Sequence, residues 1–219
     1  MEVEEGATLY FKDSALYIEE SGELLVRGTS DRPVLFTSAY EDPWKGDWDG
    51  IIVEGRADIS DAIIEYAVDG ITLRGELYME YSEVRRNLYY GLLMDDYNSI
   101  FDIQRSSFYE NLSGDMYLFS DALTLLPPGL ELSLIVVDGE DGVMHSGEWQ
   151  GYDYLLINDL EVYNGASISI KPQAHFYIST GFSISPYQII IRDGASISAR
   201  DVTFEAHDKN YYWGGIVFD

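Results

Sequence analysis

Three closely spaced carboxylates could carry acid–base chemistry. Asp95, Asp96 and Asp102 follow the strand-like run 91–94, and we expect them in one loop. Glycoside hydrolysis needs two carboxyl groups about 5 to 9.5 Å apart, and residues on adjacent strands about 4.8 Å apart could meet this need. The alternative is a solvated acidic loop, which the general acidity of the chain favours.

Calcium binding is a second kind of chemistry, because hard cations prefer several oxygen ligands. The candidate ligands Asp138, Glu140 and Asp141 surround two glycines in one expected turn. The spacing fits no calcium-loop pattern, so an ordinary acidic turn is the alternative. No other cofactor is predicted, since the three histidines are isolated and glycine-rich nucleotide motifs are absent.

Tyrosine rings offer a third kind of chemistry, because they can stack on sugar rings or on protein partners. The chain has 18 tyrosines. The predicted binding residues fall in neighbouring repeats: Tyr66, Tyr89, Tyr90, Tyr109 and Tyr117. Internal stacking on a pleated surface explains the same residues equally well.

The charge of the chain excludes several partners. Asp and Glu number 39 and Lys and Arg 13, for a formal net charge of -26. Such a chain repels nucleic acids and anionic membranes, and no apolar run is long enough for a membrane-spanning helix.

Cysteine is absent, which excludes thiol chemistry. The first residues lack the apolar core of a signal peptide, so a secreted protein would be a mature form or a fragment.

The elements that must position these side chains are short strands repeated every 20 to 24 residues. One glycine-led phrase begins at Gly50, Gly70, Gly91 and Gly114, and a second recurs at 63–66, 83–86 and 107–110. A period of this length indicates one repeated supersecondary unit, and alternating apolar residues indicate half-buried strands.

Stacking such units buries a continuous core. The sequence therefore predicts an all-β solenoid of stacked short strands with about eight or nine coils. Asn87 and Asn111 recur at matching places, which predicts either a stacked asparagine ladder or two ordinary turn residues. A β-sandwich of short strands is the alternative fold.

Four runs carry a resemblance to a known family. They are GELLVRGT at 22–29, RPVLFTS at 32–38, GDWDGIIV at 46–53 and ADISDAIIEYA at 57–67. The chain resembles secreted right-handed parallel β-helix proteins of the pectin-lyase-like class, over about residues 6–120 and 160–219. The resemblance implies a fold rather than one activity, because the family includes lyases, hydrolases, surface proteins and structural modules.

The resemblance also implies a lyase alternative. Polysaccharide lyases of this fold combine acidic calcium ligands with a basic residue that removes a proton α to a carboxylate. Arg85 and Arg105 are the candidates, because they are 20 residues apart and could stack in neighbouring coils. The alternative is that they neutralise nearby carboxylates on a surface sheet.

We expect one domain over residues 1–219, part of a longer protein, with irregular or insertion-bearing coils at 121–160. The favoured function is a non-enzymatic extracellular or cell-surface scaffold that binds a glycan or a surface protein. One alternative is a carbohydrate-active enzyme, either a polysaccharide lyase or a glycoside hydrolase. Another is a subunit that polymerises end to end through its C-terminal coil, where run 212–218 repeats run 47–53.

Overall fold

The structure is a computed structural model that describes residues 1–179 and 186–219. It divides into two compact units, which we describe separately. Unit 1 comprises residues 1–116 and 129–133, and unit 2 comprises residues 117–128 and 134–219.

Unit 1 contains three parallel sheets, named sheets I, II and III. Sheet I has the order β1 (Glu2–Glu4), β4 (Glu23–Arg27), β7 (Arg56–Ser60), β10 (Glu76–Glu80) and β13 (Ile100–Gln104). Sheet II has the order β2 (Thr8–Phe11), β5 (Val34–Ser38), β8 (Ala62–Glu65), β11 (Glu83–Arg85) and β14 (Ser107–Tyr109). Sheet III includes β3 (Ala15–Ile18), β6 (Gly50–Val53), β9 (Ile71–Leu73) and β12 (Tyr90–Met94). Successive strands visit the three sheets in turn, which is the connectivity of a parallel β-helix.

Unit 2 is also built from parallel strands, and β15 (Gly114–Phe119) contains the boundary between the units. A 3₁₀ helix, Ser120–Leu125, precedes the strands. One set is β16 (Ile135–Asp138), β18 (Asp153–Leu156), β21 (His175–Ile178) and β24 (Thr203–Ala206). The others are β17 (Gly147–Trp149), β20 (Ser167–Ile170) and β23 (Ser196–Ala199), and β19 (Leu160–Val162), β22 (Ile189–Ile191) and β25 (Ile216–Phe218). Strands therefore resume at Ile135, within the stretch expected to be irregular.

Alternation along each strand puts one face in the core. In sheet I, Leu24, Ala57 and Leu77 are in register on β4, β7 and β10, and all three are fully buried. On β7, Arg56 and Asp58 flank the buried Ala57 and lie on the outer face. Each fully buried Leu contributes about 1.5–3 kcal/mol, so the columns of apolar side chains stabilise the stack.

The predicted all-β, parallel β-helix architecture is confirmed. Strand pairing is parallel in every sheet of both units. Within residues 1–179 and 186–219, no helix has the length and apolar character needed to cross a bilayer.

Candidate functional site

A corner of unit 1 between sheets I and II carries chemically diverse side chains. The chain turns there at Asp61, Tyr81 and Arg105, with φ of 50°, 50° and 49°. We call these three residues the corner column. A left-handed backbone costs an L-residue about 1–2 kcal/mol, and Asp tolerates it better than Tyr or Arg.

Two buried serines hold the backbone at the turns that carry the corner column. Ser82 and Ser106 follow Tyr81 and Arg105 and are 2% and 3% exposed. Ser82 Oγ accepts the backbone N–H of Ala62 at 3.0 Å, and Ser106 Oγ accepts that of Ser82 at 3.2 Å. Each hydroxyl also donates to a carbonyl of the preceding strand. The serines therefore satisfy backbone groups at the turn and hold neighbouring turns about 4.8 Å apart.

The corner column borders a groove of about 340 Å³. Its lining includes Asp61, Tyr81 and Arg105 together with Ile63 and Glu83. The Tyr81 side chain is 48% exposed. The Arg105 guanidinium carbon lies 5.3 Å from the Tyr81 ring centroid, and its Nη1 donates to the Tyr81 hydroxyl. The groove therefore combines an aromatic ring, a cation and two carboxylates.

Glu83 is held by a hydrogen-bond network on the outer face of sheet II. Its Oε2 accepts from Arg85 Nη1 at 2.6 Å and from the Tyr109 hydroxyl at 2.7 Å. Arg85 Nε also donates to Glu65 Oε2 at 3.0 Å, and Thr37 Oγ1 donates to Glu65 Oε1 at 3.1 Å. One Glu83 oxygen is thus fixed, while Oε1 has no hydrogen-bond partner in the described part of the chain.

The same network shifts two pKa values. Burial raises the pKa of the Tyr109 hydroxyl, and its hydrogen bond to Glu83 adds to the shift. Burial opposes the charge of Arg85, but hydrogen bonds with Tyr109 and Glu65 raise its pKa above the ordinary value. Tyr109 therefore stays a neutral donor, and Arg85 a cation, at neutral pH.

The predicted acidic loop is not a single cluster. Asp95 and Asp96 follow β12 as expected, but Asp102 lies on β13, so its placement in the loop was wrong. Asp95 Oδ2 lies 2.7 Å from Arg74 Nε, and Asp96 accepts a backbone N–H within its own turn. Asp102 accepts from the Gln104 amide on the outer face of sheet I. Each of the three carboxylates therefore has its own hydrogen-bond or ion-pair partner, and their role as an acid–base pair stays a prediction.

The predicted stacking of Arg85 on Arg105 is wrong. Arg85 is in register with Glu65 and Tyr109 in sheet II, whereas Arg105 belongs to the turn before β14. The coil that joins β10 to β13 is 24 residues long rather than 20. Glu80 therefore pairs with Gln104, and the next residue, Tyr81, lies beside Arg105. Arg85 Nε forms an ion pair with Glu65 at 3.0 Å, as the alternative interpretation expected.

The four predicted binding tyrosines of unit 1 do not share one sheet face. Tyr109 lies in the sheet II network, and Tyr66 occupies the turn after β8 with φ of 64°. Tyr90 begins β12, and Tyr89 precedes it with 48% exposure. Tyr117 lies in unit 2, where its hydroxyl donates to a buried aspartate.

The predicted calcium ligands are not assembled as a ligand set. Asp138 is 8% exposed and accepts from the Tyr117 hydroxyl, the Asn158 amide and the backbone N–H of Glu140. Across residues 1–179 and 186–219, no three His, Cys, Asp or Glu side chains are grouped to hold a metal ion. Calcium binding at Asp138, Glu140 and Asp141 stays a prediction.

The asparagine ladder is confirmed. Asn87 Nδ2 donates to Asn111 Oδ1 at 2.9 Å, and Asn87 Oδ1 accepts the backbone N–H of Ala67 at 2.9 Å. Asn111 Nδ2 donates in turn to the carbonyl of Val84 at 3.2 Å. The ladder therefore ties together three successive turns after sheet II.

A larger groove of unit 1, about 600 Å³, has a different character. Its lining includes Glu20, Glu23, Glu54 and Glu76, and it contains no aromatic ring. Its cation, Arg56, lies 3.7 Å from both Glu23 and Glu76. The one basic residue of that lining is thus already paired with carboxylates, and the lining offers no aromatic face, so the smaller groove at the corner column is the candidate site.

One comparison with known proteins identifies a matching family over most of unit 1. Residues 2–98 match the family of pectate-lyase like beta helix domains. The predicted resemblance to the pectin-lyase-like parallel β-helix is thereby confirmed. Neither a curated protein nor a solved structure matches the chain. The matched β-helix segment includes Asp61 and Tyr81, whereas Arg105 lies beyond it.

Sequence reasoning missed the corner column. Asp61, Tyr81 and Arg105 each stand two residues before the second repeated phrase, at Ile63, Glu83 and Ser107 respectively. This constant offset could have placed the three side chains side by side. Their exposure and positive φ could not be read from the repeat alone.

Proposed function

We propose that the chain is an extracellular, non-enzymatic β-helix module that binds a saccharide in the groove beside the corner column. The observation that carries the proposal is the half-exposed Tyr81 ring in a groove with a fixed carboxylate and a guanidinium. An aromatic face suits the apolar face of a sugar ring. Glu83 Oε1 can accept from ring hydroxyls, and Arg105 can donate to them.

Preorganisation supports this proposal. The Glu83 carboxylate is held through Oε2 by Arg85 and Tyr109, and the Tyr81 ring is held by Arg105. Groups that are already ordered lose less conformational entropy when a ligand binds. The groove therefore offers a rigid stacking face and a rigid acceptor.

A carbohydrate-active enzyme is the second candidate, because two carboxylates, Asp61 and Glu83, line the same groove. It differs from the first candidate in one observable, the release of product. The self-assembling subunit remains a separate prediction, and concentration-dependent light scattering would test it.

The test is a glycan-array screen with calcium present, followed by titration calorimetry on the glycans that bind. We expect Tyr81→Ala to weaken binding at least about tenfold, because the stacking face is lost. Tyr97→Ala is the control, since Tyr97 is 67% exposed and lies outside the groove lining. Equal losses in both variants would contradict the groove assignment. Reducing ends or unsaturated uronates released from bound glycans would favour the enzyme.

A further inference from the structure

Arg105 differs from the other arginines of unit 1, all of whose residues are described. Six of the seven arginines have a carboxylate oxygen within 4.0 Å. These pairs are Arg27–Asp58, Arg32–Glu5, Arg56–Glu23, Arg74–Asp95, Arg85–Glu65 and Arg86–Glu110. Arg105 has no such pair in unit 1; it contacts the Tyr81 ring and donates to the Tyr81 hydroxyl.

An arginine without a carboxylate is unexpected in this chain, because acidic residues outnumber basic ones 39 to 13. The Arg105 guanidinium has five N–H donors, and the structure assigns one nitrogen, Nη1, to Tyr81. The remaining donors form a planar fork that matches the two oxygens of a carboxylate or a sulfate ester. Arg105 belongs to the lining of the groove.

We infer that the groove selects a saccharide bearing a single oxyanion, with the ring on Tyr81 and the oxyanion on Arg105. This inference rests on the proposed function. Tyr81 keeps the guanidinium in place by a cation–π contact and by accepting its hydrogen bond, so the guanidinium is positioned before the ligand arrives. Sulfate and carboxylate share this chemistry, and the experiment includes both.

Charge limits the ligand to one oxyanion rather than a repeated polyanion. The groove holds one unpaired cation beside two carboxylates, Asp61 and Glu83, and the whole chain carries -26. A second anionic sugar would meet carboxylates and the negative field of the protein. One charge-assisted contact at Arg105 is therefore favourable, whereas further charges are repelled.

The experiment compares matched ligands on the full chain. Each neutral oligosaccharide of an array is paired with a counterpart that carries one sulfate or one carboxylate, and polygalacturonate serves as the polyanion. We expect the single-anion form to bind about tenfold tighter than the neutral form, the size of one charge-assisted hydrogen-bond pair. The preference should shrink as sodium chloride screens the contact. A gain confined to the sulfate or to the carboxylate arm would identify the oxyanion.

The variant Arg105→Gln should abolish the tenfold preference for the single-anion form over its neutral counterpart, because the charge is removed while the length of the side chain is nearly kept. Arg27→Gln is the control, because Arg27 is ion-paired to Asp58 at 2.8 Å and lies outside the groove lining. If the unsubstituted chain bound the neutral and the single-anion forms equally, the inference would be overturned and the proposed function would stand. Tighter binding of polygalacturonate would also overturn it. Absence of binding to every saccharide would overturn both.

Discussion

The asparagine at position 87 is fully buried, and its carboxamide accepts the backbone N–H of Ala67 and donates to the Asn111 side chain. In Asn87→Ala, the N–H of Ala67 would lose its acceptor at 2.9 Å. An unsatisfied buried donor costs about 1–3 kcal/mol. We therefore expect the free energy of unfolding, measured by urea titration, to fall by about 2 kcal/mol. Asn98→Ala is the matched control, since Asn98 is exposed, and a similar loss there would contradict a role for burial.

Asp69 is a buried carboxylate whose pKa is raised by burial, with a further contribution from Asp95. Its folded pKa lies above the ordinary value of 3.8, so the folded state binds more protons than the unfolded state between the two values. Stability is therefore lost as pH rises through this window. Asn in its place would keep the acceptor for the Tyr90 N–H, now at 2.9 Å.

Asp69→Asn is accordingly expected to raise the urea midpoint at pH 7.5 and to have progressively less effect as pH falls toward the ordinary carboxyl pKa. Urea titrations at pH 7.5 and near pH 4 would measure the difference. A gain that is larger at the acidic pH would contradict the assigned direction of the shift.

Tyr81 occupies a backbone conformation that Asn would adopt at lower cost. Relief of the left-handed strain, about 1 kcal/mol, should offset the lost ring–guanidinium contact, about 0.5–1 kcal/mol at an exposed site. We expect Tyr81→Asn to leave the free energy of unfolding within about 0.5 kcal/mol of the parent while saccharide binding is lost. A variant destabilised by well over 1 kcal/mol would show that Tyr81 serves the fold.

At the scale of the element, the coil corner after sheet III depends on close backbone contact. A Cβ on Gly75 would lie 2.2 Å from the carbonyl oxygen of Gly55 and 2.4 Å from that of Glu54. Gly75→Ala should therefore destabilise unit 1 by about 3 kcal/mol, near the upper range for overpacking. Gly129→Ala is the control, because its φ is +82° but no atom lies within 4 Å of the added Cβ. We expect about 1 kcal/mol there, and equal losses would contradict the steric argument.

The repeat predicted the elements better than it predicted the site. Glycine-led phrases and period-2 alternation depend on local sterics and on burial, so the parallel strands followed from the sequence. Coil length, however, changes from 20 to 24 residues between β10 and β13. That change puts Tyr81 rather than Arg85 beside Arg105, and it could be read only from the second repeated phrase, which recurs 24 residues after position 83. The Glu83 network was harder to predict, since its members come from four different strands and the repeat does not give their hydrogen bonds.

At the scale of the whole molecule, the net charge of -26 sets how stability responds to salt. Compact folding brings like charges together, and this self-repulsion destabilises the folded state. Added salt also weakens the ion pairs, but exposed pairs contribute only about 0–1 kcal/mol each. We expect the thermal midpoint to rise as sodium chloride increases from about 0.05 M to about 1 M, where the Debye length falls to about 3 Å. Circular dichroism would measure the midpoint, and a fall would show that the ion pairs outweigh the self-repulsion. The same salt should weaken the contact between Arg105 and the ligand oxyanion. A higher thermal midpoint together with a smaller preference for single-anion ligands would show that salt screens both the self-repulsion of the chain and this local contact.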